Sequence, residues 1–149
     1  MCFRSWMALT LLMLVPLSGM AAPRCTLSTS GMAFGTYNPA QPTPLDGITT
    51  VQLDCSQTTV YTMEASTAKI NPDGSREMKA GGAAGNAIYF LYIDPSRTQV
   101  WGDGTGNTYS LNGTTAGSVV DHSIYGRVPA GQLLGAGSYK DKVLIRANF

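Results

Sequence analysis

Hydrophobic and polar residues alternate along much of the chain, and the alternation is most regular in the last eleven residues. One face of this segment carries Tyr139, Val143, Ile145, Ala147 and Phe149. The other face carries Lys140, Lys142, Arg146 and Asn148. A period of two predicts a half-buried β-strand. We expect its outer edge to need cover from another polypeptide, because an open edge beside an apolar face promotes aggregation.

Four more segments have strand patterns. Apolar residues alternate in 49–55 and 61–65, a continuous apolar run fills 87–93, and a strand over 118–128 is expected to be interrupted at Gly126. Turn-forming clusters rich in Gly, Pro, Asn and Asp separate these segments. No helical pattern follows residue 21. About seven strands with frequent turns predict an all-β fold, a single antiparallel β-sandwich.

Residues 1–21 have the features of a secretory signal peptide. Arg4 supplies a short basic region, and an apolar run over 6–17 is too short to span a bilayer comfortably. Small residues at Gly19 and Ala21 mark the expected cleavage site. Cleavage there would leave 149 − 21 = 128 residues, the predicted domain 22–149. We therefore expect export through the periplasm and no membrane anchor.

Two of the three cysteines, Cys25 and Cys55, follow the predicted cleavage site. In an exported protein an even number of cysteines indicates a disulfide, and two cysteines permit one intramolecular pairing. The bridge would close a loop of about 31 residues and stabilise the fold by roughly 3–4 kcal/mol. Metal binding by this pair is the other interpretation, but the pair lacks companion cysteines or histidines.

Neither charge nor motifs indicate an enzyme or a nucleic-acid-binding protein. The formal charge is +1, only 13% of residues are charged, and no basic stripe is present. His122 is the only histidine, and it alternates with apolar neighbours, which favours a structural or surface role. The glycine-rich stretch Trp101–Gly106 lacks the acidic spacing and the closing Glu of a calcium loop. We expect no catalytic residues, no cofactor and no metal.

Several short stretches taken together identify the chain as similar to a known family. They are Cys25-Thr-Leu-Ser28, Phe34-Gly-Thr-Tyr37, Val51-Gln-Leu-Asp-Cys55, Tyr89-Phe-Leu-Tyr-Ile-Asp94, Trp101-Gly-Asp-Gly-Thr-Gly106, Tyr125-Gly-Arg-Val-Pro-Ala130 and Gly137-Ser-Tyr-Lys-Asp141 with the closing strand. In this order and spacing they resemble the spore coat protein U domain family, which includes pilin subunits of the archaic chaperone–usher pathway. The resemblance covers Cys25 to Phe149.

The resemblance implies an immunoglobulin-like sandwich that lacks its final strand. In such pilins a periplasmic chaperone lends a strand beside the last one, and during assembly at an outer-membrane usher a neighbouring pilus subunit replaces it. This is β-strand addition, in which alternate side chains enter acceptor pockets. Val143, Ile145, Ala147 and Phe149 are then expected to form one wall of the acceptor groove, and residues 27–34 the opposite wall.

The short segment before Cys25 departs from the pilin pattern. Residues 22–24 would extend about 10 Å at most, whereas an ordinary strand spans about 17–20 Å. We therefore hypothesise that this subunit accepts a strand and does not donate one.

Three functions remain open from the sequence. The first is a cell-surface pilus subunit for adhesion and biofilm formation. The second is a stand-alone secreted protein resembling a spore-coat protein. The third is a sugar-binding module that uses Trp101 and nearby tyrosines.

Overall fold

The computed structural model describes residues 21–82 and 85–149, and within them the chain forms strands and no helix. The predicted signal peptide lies outside the described residues, except for Ala21. The strands are β1 (Cys25–Thr29), β2 (Leu45–Cys55), β3 (Thr58–Ser66), β4 (Arg76–Ala80), β5 (Asn86–Tyr92), β6 (Leu111–Ala116), β7 (Val119–Val128), β8 (Tyr139–Lys140) and β9 (Leu144–Asn148).

These strands form two sheets with antiparallel pairing throughout. One sheet has six strands in the order β1-β2-β7-β5-β4-β8, and the other has three in the order β6-β3-β9. The predicted fold class, an all-β antiparallel sandwich, is confirmed. The nine strands exceed the roughly seven that the sequence predicts, in part because the last predicted strand divides into β8 and β9.

The core lies between the sheets and is built from every second residue of the longer strands. In β2 the buried residues are Val51, Leu53 and Cys55, and in β3 they are Tyr61, Met63 and Ala65. This is the predicted alternation, in which one face of each strand is buried in the core and the other faces solvent. Trp101, from the loop after β5, fills the space between the sheets and is 1% exposed.

The prediction of one continuous strand at the carboxyl end is wrong. The segment divides into β8, which pairs with β4 in the six-stranded sheet, and β9, which pairs with β3 in the other sheet. Asp141 lies at the crossover: its carboxylate accepts hydrogen bonds from Tyr89 Oη and from the backbone N of Lys142, each at 2.7 Å. These bonds hold the chain where it leaves one sheet for the other.

The expected interruption at Gly126 is also wrong, because β7 pairs with β2 through this position, opposite Gly47. The two glycines instead make a hollow in the inner face of the sheet. Phe34 packs there: a Cβ atom added at Gly126 would lie 2.7 Å from its ring. Phe34 also meets Tyr89 edge to face, with ring centroids 5.9 Å apart. The missing side chains therefore admit the loop that follows β1.

Replacing Gly126 by Ala is expected to destabilise the protein by about 1–3 kcal/mol, because the added methyl group displaces Phe34 and Met32. Urea denaturation would measure the loss. Gly81→Ala is the matched control, since its Cβ would meet only the carbonyl oxygen of Ser138 at 3.6 Å. Equal stability of the two variants would contradict the packing described for Phe34.

The predicted disulfide is present. Cys25 in β1 and Cys55 in β2 are directly opposed in the strand register and are bonded through sulfur. The bridge fixes the outermost strand of the six-stranded sheet to its neighbour. Because Cys55 is 2% exposed, the bond is anchored in the core.

Candidate functional site

In the part of the chain that the structure describes, the last strand has a partner on one side only. β9 pairs with β3 and is the outer strand of the three-stranded sheet, while β1 is an outer strand of the other sheet. Within residues 21–82 and 85–149, no strand pairs with the free side of either one. The sandwich is therefore open along the side where these two edges lie.

An apolar groove of about 330 Å³ opens into the core on this side. Its floor is formed by core residues: Val51, Leu91 and Ile124 from strands, and Trp101 from a loop. Val143 and Ile145 line one side. Met32 and Phe34, from the loop after β1, line the other. A space of this size between two edges can take apolar side chains from an added strand.

The predicted wall residues do not all take the same position. Val143 and Ile145 line the groove, and Ala147 packs against the core without lining it. Phe149 lies after the end of β9 and is 59% exposed. Leu144 faces outward from the same strand and is 48% exposed. The groove wall is thus centred on the first half of β9.

The segment expected to form the opposite wall contributes in part. Thr29, Met32 and Phe34 line the groove, whereas Leu27 packs against the core without lining it. β1 ends at Thr29, so the lining residues beyond it belong to a loop.

One end of the groove is polar. Lys140 and Asp141 are its only charged lining residues within the described chain, and the Tyr89 hydroxyl holds the Asp141 carboxylate there. The pKa of Tyr89 is raised well above its usual value, first by burial and then by this hydrogen bond to a carboxylate. Tyr89 therefore stays protonated and acts as a donor.

Arg76 is fully buried beside this polar end, a position that the sequence did not indicate. It is the Cα partner of Tyr89, and its Nη2 donates to the carbonyl oxygens of Ala65 and Trp101. Burial lowers its pKa from the usual value. The sequence feature that could have indicated this burial is the alternation of Arg76, Met78 and Ala80, which places the arginine on the inward face of the strand. Charged side chains are ordinarily expected on the surface, so the alternation alone did not suggest a buried arginine.

His122 connects the two sheets. Its Nε2 lies 2.6 Å from the hydroxyl of Tyr61, which belongs to the opposite sheet. Burial lowers the pKa of His122, although the nearby Asp121 opposes that shift. The histidine is therefore part of the packing between the sheets.

The lowered pKa of His122 predicts a loss of stability on acidification. The unfolded state, with an ordinary histidine pKa of about 6.5, binds a proton before the folded state does. Stability is then fully present above that pH and decreases as the pH falls through it toward the lower folded value. Urea denaturation between pH 7.5 and 5 should show this decrease, and His122→Gln should flatten it. A variant with the same slope would contradict the assignment, since the chain has one histidine.

Trp101 is not available to a sugar. It is 1% exposed, and its indole nitrogen donates to the carbonyl oxygen of Met63 at 3.2 Å. A platform for stacking needs an exposed ring face, so this part of the sugar-binding hypothesis is wrong.

Asp103, in the glycine-rich stretch after Trp101, accepts hydrogen bonds from the backbone and hydroxyl of Thr105 and from Thr108. These bonds fix a tight turn. Among the described residues, no group of three or more His, Cys, Asp or Glu side chains is arranged to hold a metal ion. The same residues contain no helix that is long and apolar enough to cross a membrane.

Comparison with known proteins gives matches of three kinds. A family model described as the Spore Coat Protein U domain matches residues 11–146. The chain is 31% identical over 130 residues to Protein U of Myxococcus xanthus. The aligned region covers 78% of this chain and 70% of that protein.

The third match is to a solved structure. It is a chain in the crystal structure of the CsuC–CsuE chaperone–tip adhesion subunit pre-assembly complex, from archaic chaperone–usher Csu pili of Acinetobacter baumannii. The two chains superpose with a TM-score of 0.60 at 18% identity, over 86% of this chain and 40% of that one. At this identity the match establishes a shared fold, and this chain spans well under half of the solved chain.

Proposed function

The chain belongs to the Spore Coat Protein U domain family, and from this premise we propose that it is a structural subunit of a chaperone–usher pilus. In this proposal residues 1–21 are removed as a signal peptide, and residues 22–149 form the exported domain. The subunit passes through the periplasm to the cell surface, where the fibre serves adhesion and biofilm formation. Its activity is assembly, without catalysis.

One observation carries the proposal: within the described residues β9 pairs only with β3, and its free edge borders an apolar groove that reaches the core. A strand added along this edge would satisfy backbone N–H and C=O groups on β9 and would place alternate side chains in the groove. Val143 and Ile145 line the groove, and such a strand would contact them. Ala147 and Phe149 would extend the contact toward the chain end.

The proposed partners act one after the other. A periplasmic chaperone supplies the first added strand and keeps the apolar groove from aggregating. At an outer-membrane usher, a strand from a neighbouring pilus subunit replaces it. The chain of similar fold was solved in a chaperone–subunit pre-assembly complex, which supports a chaperone as the first partner.

A coat protein outside any fibre is the second candidate, favoured by the description of the family itself. Such a protein would keep its edge covered by its own loops or by dimerisation. Met32 and Phe34 already cover part of the six-stranded sheet and would be the start of such a cover.

Periplasmic expression with and without a chaperone separates the two functions. The proposal predicts that the chain alone is degraded or aggregates, and that co-expression with the chaperone of its own gene neighbourhood gives a soluble complex. A chain that accumulates alone as a stable, soluble monomer would contradict the pilus function and favour the coat protein.

A further inference from the structure

The polar end of the groove carries a net positive charge. Lys140 and Asp141 line this end, and Arg76 is buried beside it, which gives two cations and one carboxylate. The remaining described lining residues are uncharged, including Thr29 and Thr49 toward β1. The two ends of the groove therefore differ in electrostatic potential.

The buried cation is not neutralised by a hydrogen-bonded carboxylate. Arg76 Nε and Nη1 are buried and have no hydrogen-bond partner among the described residues. Its Nη2 donates to two neutral carbonyl groups. Asp141 is already engaged by the hydroxyl of Tyr89 and by the backbone N of Lys142. Buried charges in folded proteins are ordinarily paired, so this end of the groove is short of one negative charge.

We propose that the strand that fills the groove carries an aspartate or glutamate at the position that lies against Lys140 and Tyr89. This inference rests on the proposed function and adds the chemistry of the partner: alternating apolar residues with one acidic residue near one end. Lys140 would pair with that carboxylate at the groove surface. Arg76 would add attraction from the interior, where low polarity weakens the screening of its charge.

The acidic residue would matter more here than in an ordinary surface ion pair. An exposed pair contributes little, because water and salt screen it. A strand lying in the groove excludes water from Lys140 and from the region above Arg76, so the same pair acts in a less polar setting. Charge complementarity of this kind also fixes the register and direction of the added strand.

Peptide-assisted refolding tests the inference. The oxidised full-length chain is diluted from denaturant with synthetic peptides of about ten residues, an ordinary strand length, in which Val alternates with Thr. In each peptide a single Glu replaces a different Val, and each peptide has a twin with Gln at that position. The readout is the peptide concentration that gives half of the maximal soluble complex.

We expect that the peptide with Glu near one end gives half-maximal soluble complex at a concentration about tenfold lower than its Gln twin. Lys140→Met should remove this preference, so that the Glu and Gln twins are needed at equal concentration, and Arg76→Met should reduce it. Lys142→Met is the matched control: this lysine does not line the groove, and the variant should keep the preference.

Three results would overturn the inference, and they differ in what they say of the groove. If Glu and Gln twins are equivalent at every position, the groove accepts strands but does not select an acidic one. If no peptide yields soluble complex, the groove itself does not accept a strand, and the proposed function fails with the inference. A preference lost equally in the Lys140 and Lys142 variants would assign it to general surface attraction and would also overturn the inference.

Discussion

Ile145→Asp is expected to abolish strand capture. Ile145 lines the groove from β9, and its side chain packs against the core. An added strand would bury the new carboxylate without a partner, at a cost of several kcal/mol. A loss of about 3 kcal/mol already lowers affinity by about 100-fold. The amount of periplasmic chaperone that co-purifies with the tagged chain would measure the effect.

Leu144→Asp is the matched control for this change. Leu144 is the neighbouring residue of the same strand, is 48% exposed and faces away from the groove. The substitution is therefore identical in chemistry and differs only in the face that it alters. The control and Lys142→Ala should both retain the chaperone. Equal losses in the Ile145 and Leu144 variants would contradict the assignment of the groove to the inward face of β9.

Removing the disulfide by a double replacement, Cys25→Ala with Cys55→Ala, should lower the melting temperature by about 10 °C. The bond joins residues 30 positions apart, and closing a loop of that size stabilises a fold by roughly 3–4 kcal/mol. In a domain of this size each kcal/mol corresponds to about 3–4 °C. Differential scanning calorimetry of the chaperone-free or peptide-filled domain would measure the shift.

The same experiment has an internal control. A reducing agent should lower the melting temperature of the natural sequence to that of the double variant, and should leave the variant unchanged. An unchanged melting temperature in the double variant would mean that the bridge contributes nothing to stability. The affected part of the fold would be β1, since the bond holds this outer strand to β2.

The strands that pack one face on the core were predictable from the sequence. In the predicted segments 49–55 of β2 and 61–65 of β3, the inward positions of the alternation are the ones that the fold buries, whereas Ile48 and Val60, outside these segments, are apolar and exposed. The continuous apolar run of β5 likewise marked a strand inside the six-stranded sheet. Local periodicity is sufficient there because the same physical contrast, core against solvent, acts along the whole strand.

The division of the last segment was not predictable from its periodicity. Tyr139 and Val143 would fall on the same face of one ideal strand. In the structure, Tyr139 belongs to β8 in the six-stranded sheet, whereas Val143 immediately precedes β9 in the three-stranded sheet. The hydrogen bonds of Asp141 hold the chain where it turns between them. One of those bonds comes from Tyr89, which is 52 positions away. A contact at this separation leaves no local pattern in the sequence.

The polar end of the groove and the turn after β7 show the same limit. Arg76 alternates with Met78 and Ala80 on the inward face of β4, but its burial depends on contacts with Ala65 and Trp101, which are distant in sequence. Gln132 pairs its side-chain amide with both the N and the O of Ile88, at 2.7 and 2.8 Å, and so takes the place of a strand neighbour. The hydroxyl of Tyr37 donates to Pro129 O and accepts from Gln132 N. Each role depends on tertiary placement, which composition and spacing do not encode.

Amide hydrogen exchange across β9 tests the central claim most directly. In the free domain, the amides of residues 144–148 that point away from β3 should exchange quickly, while those paired with β3 are protected. In the complex purified with the periplasmic chaperone, both sets should be protected, because the added strand pairs with the open edge. Unchanged exchange of the outward amides in that complex would contradict the capture of a strand at β9.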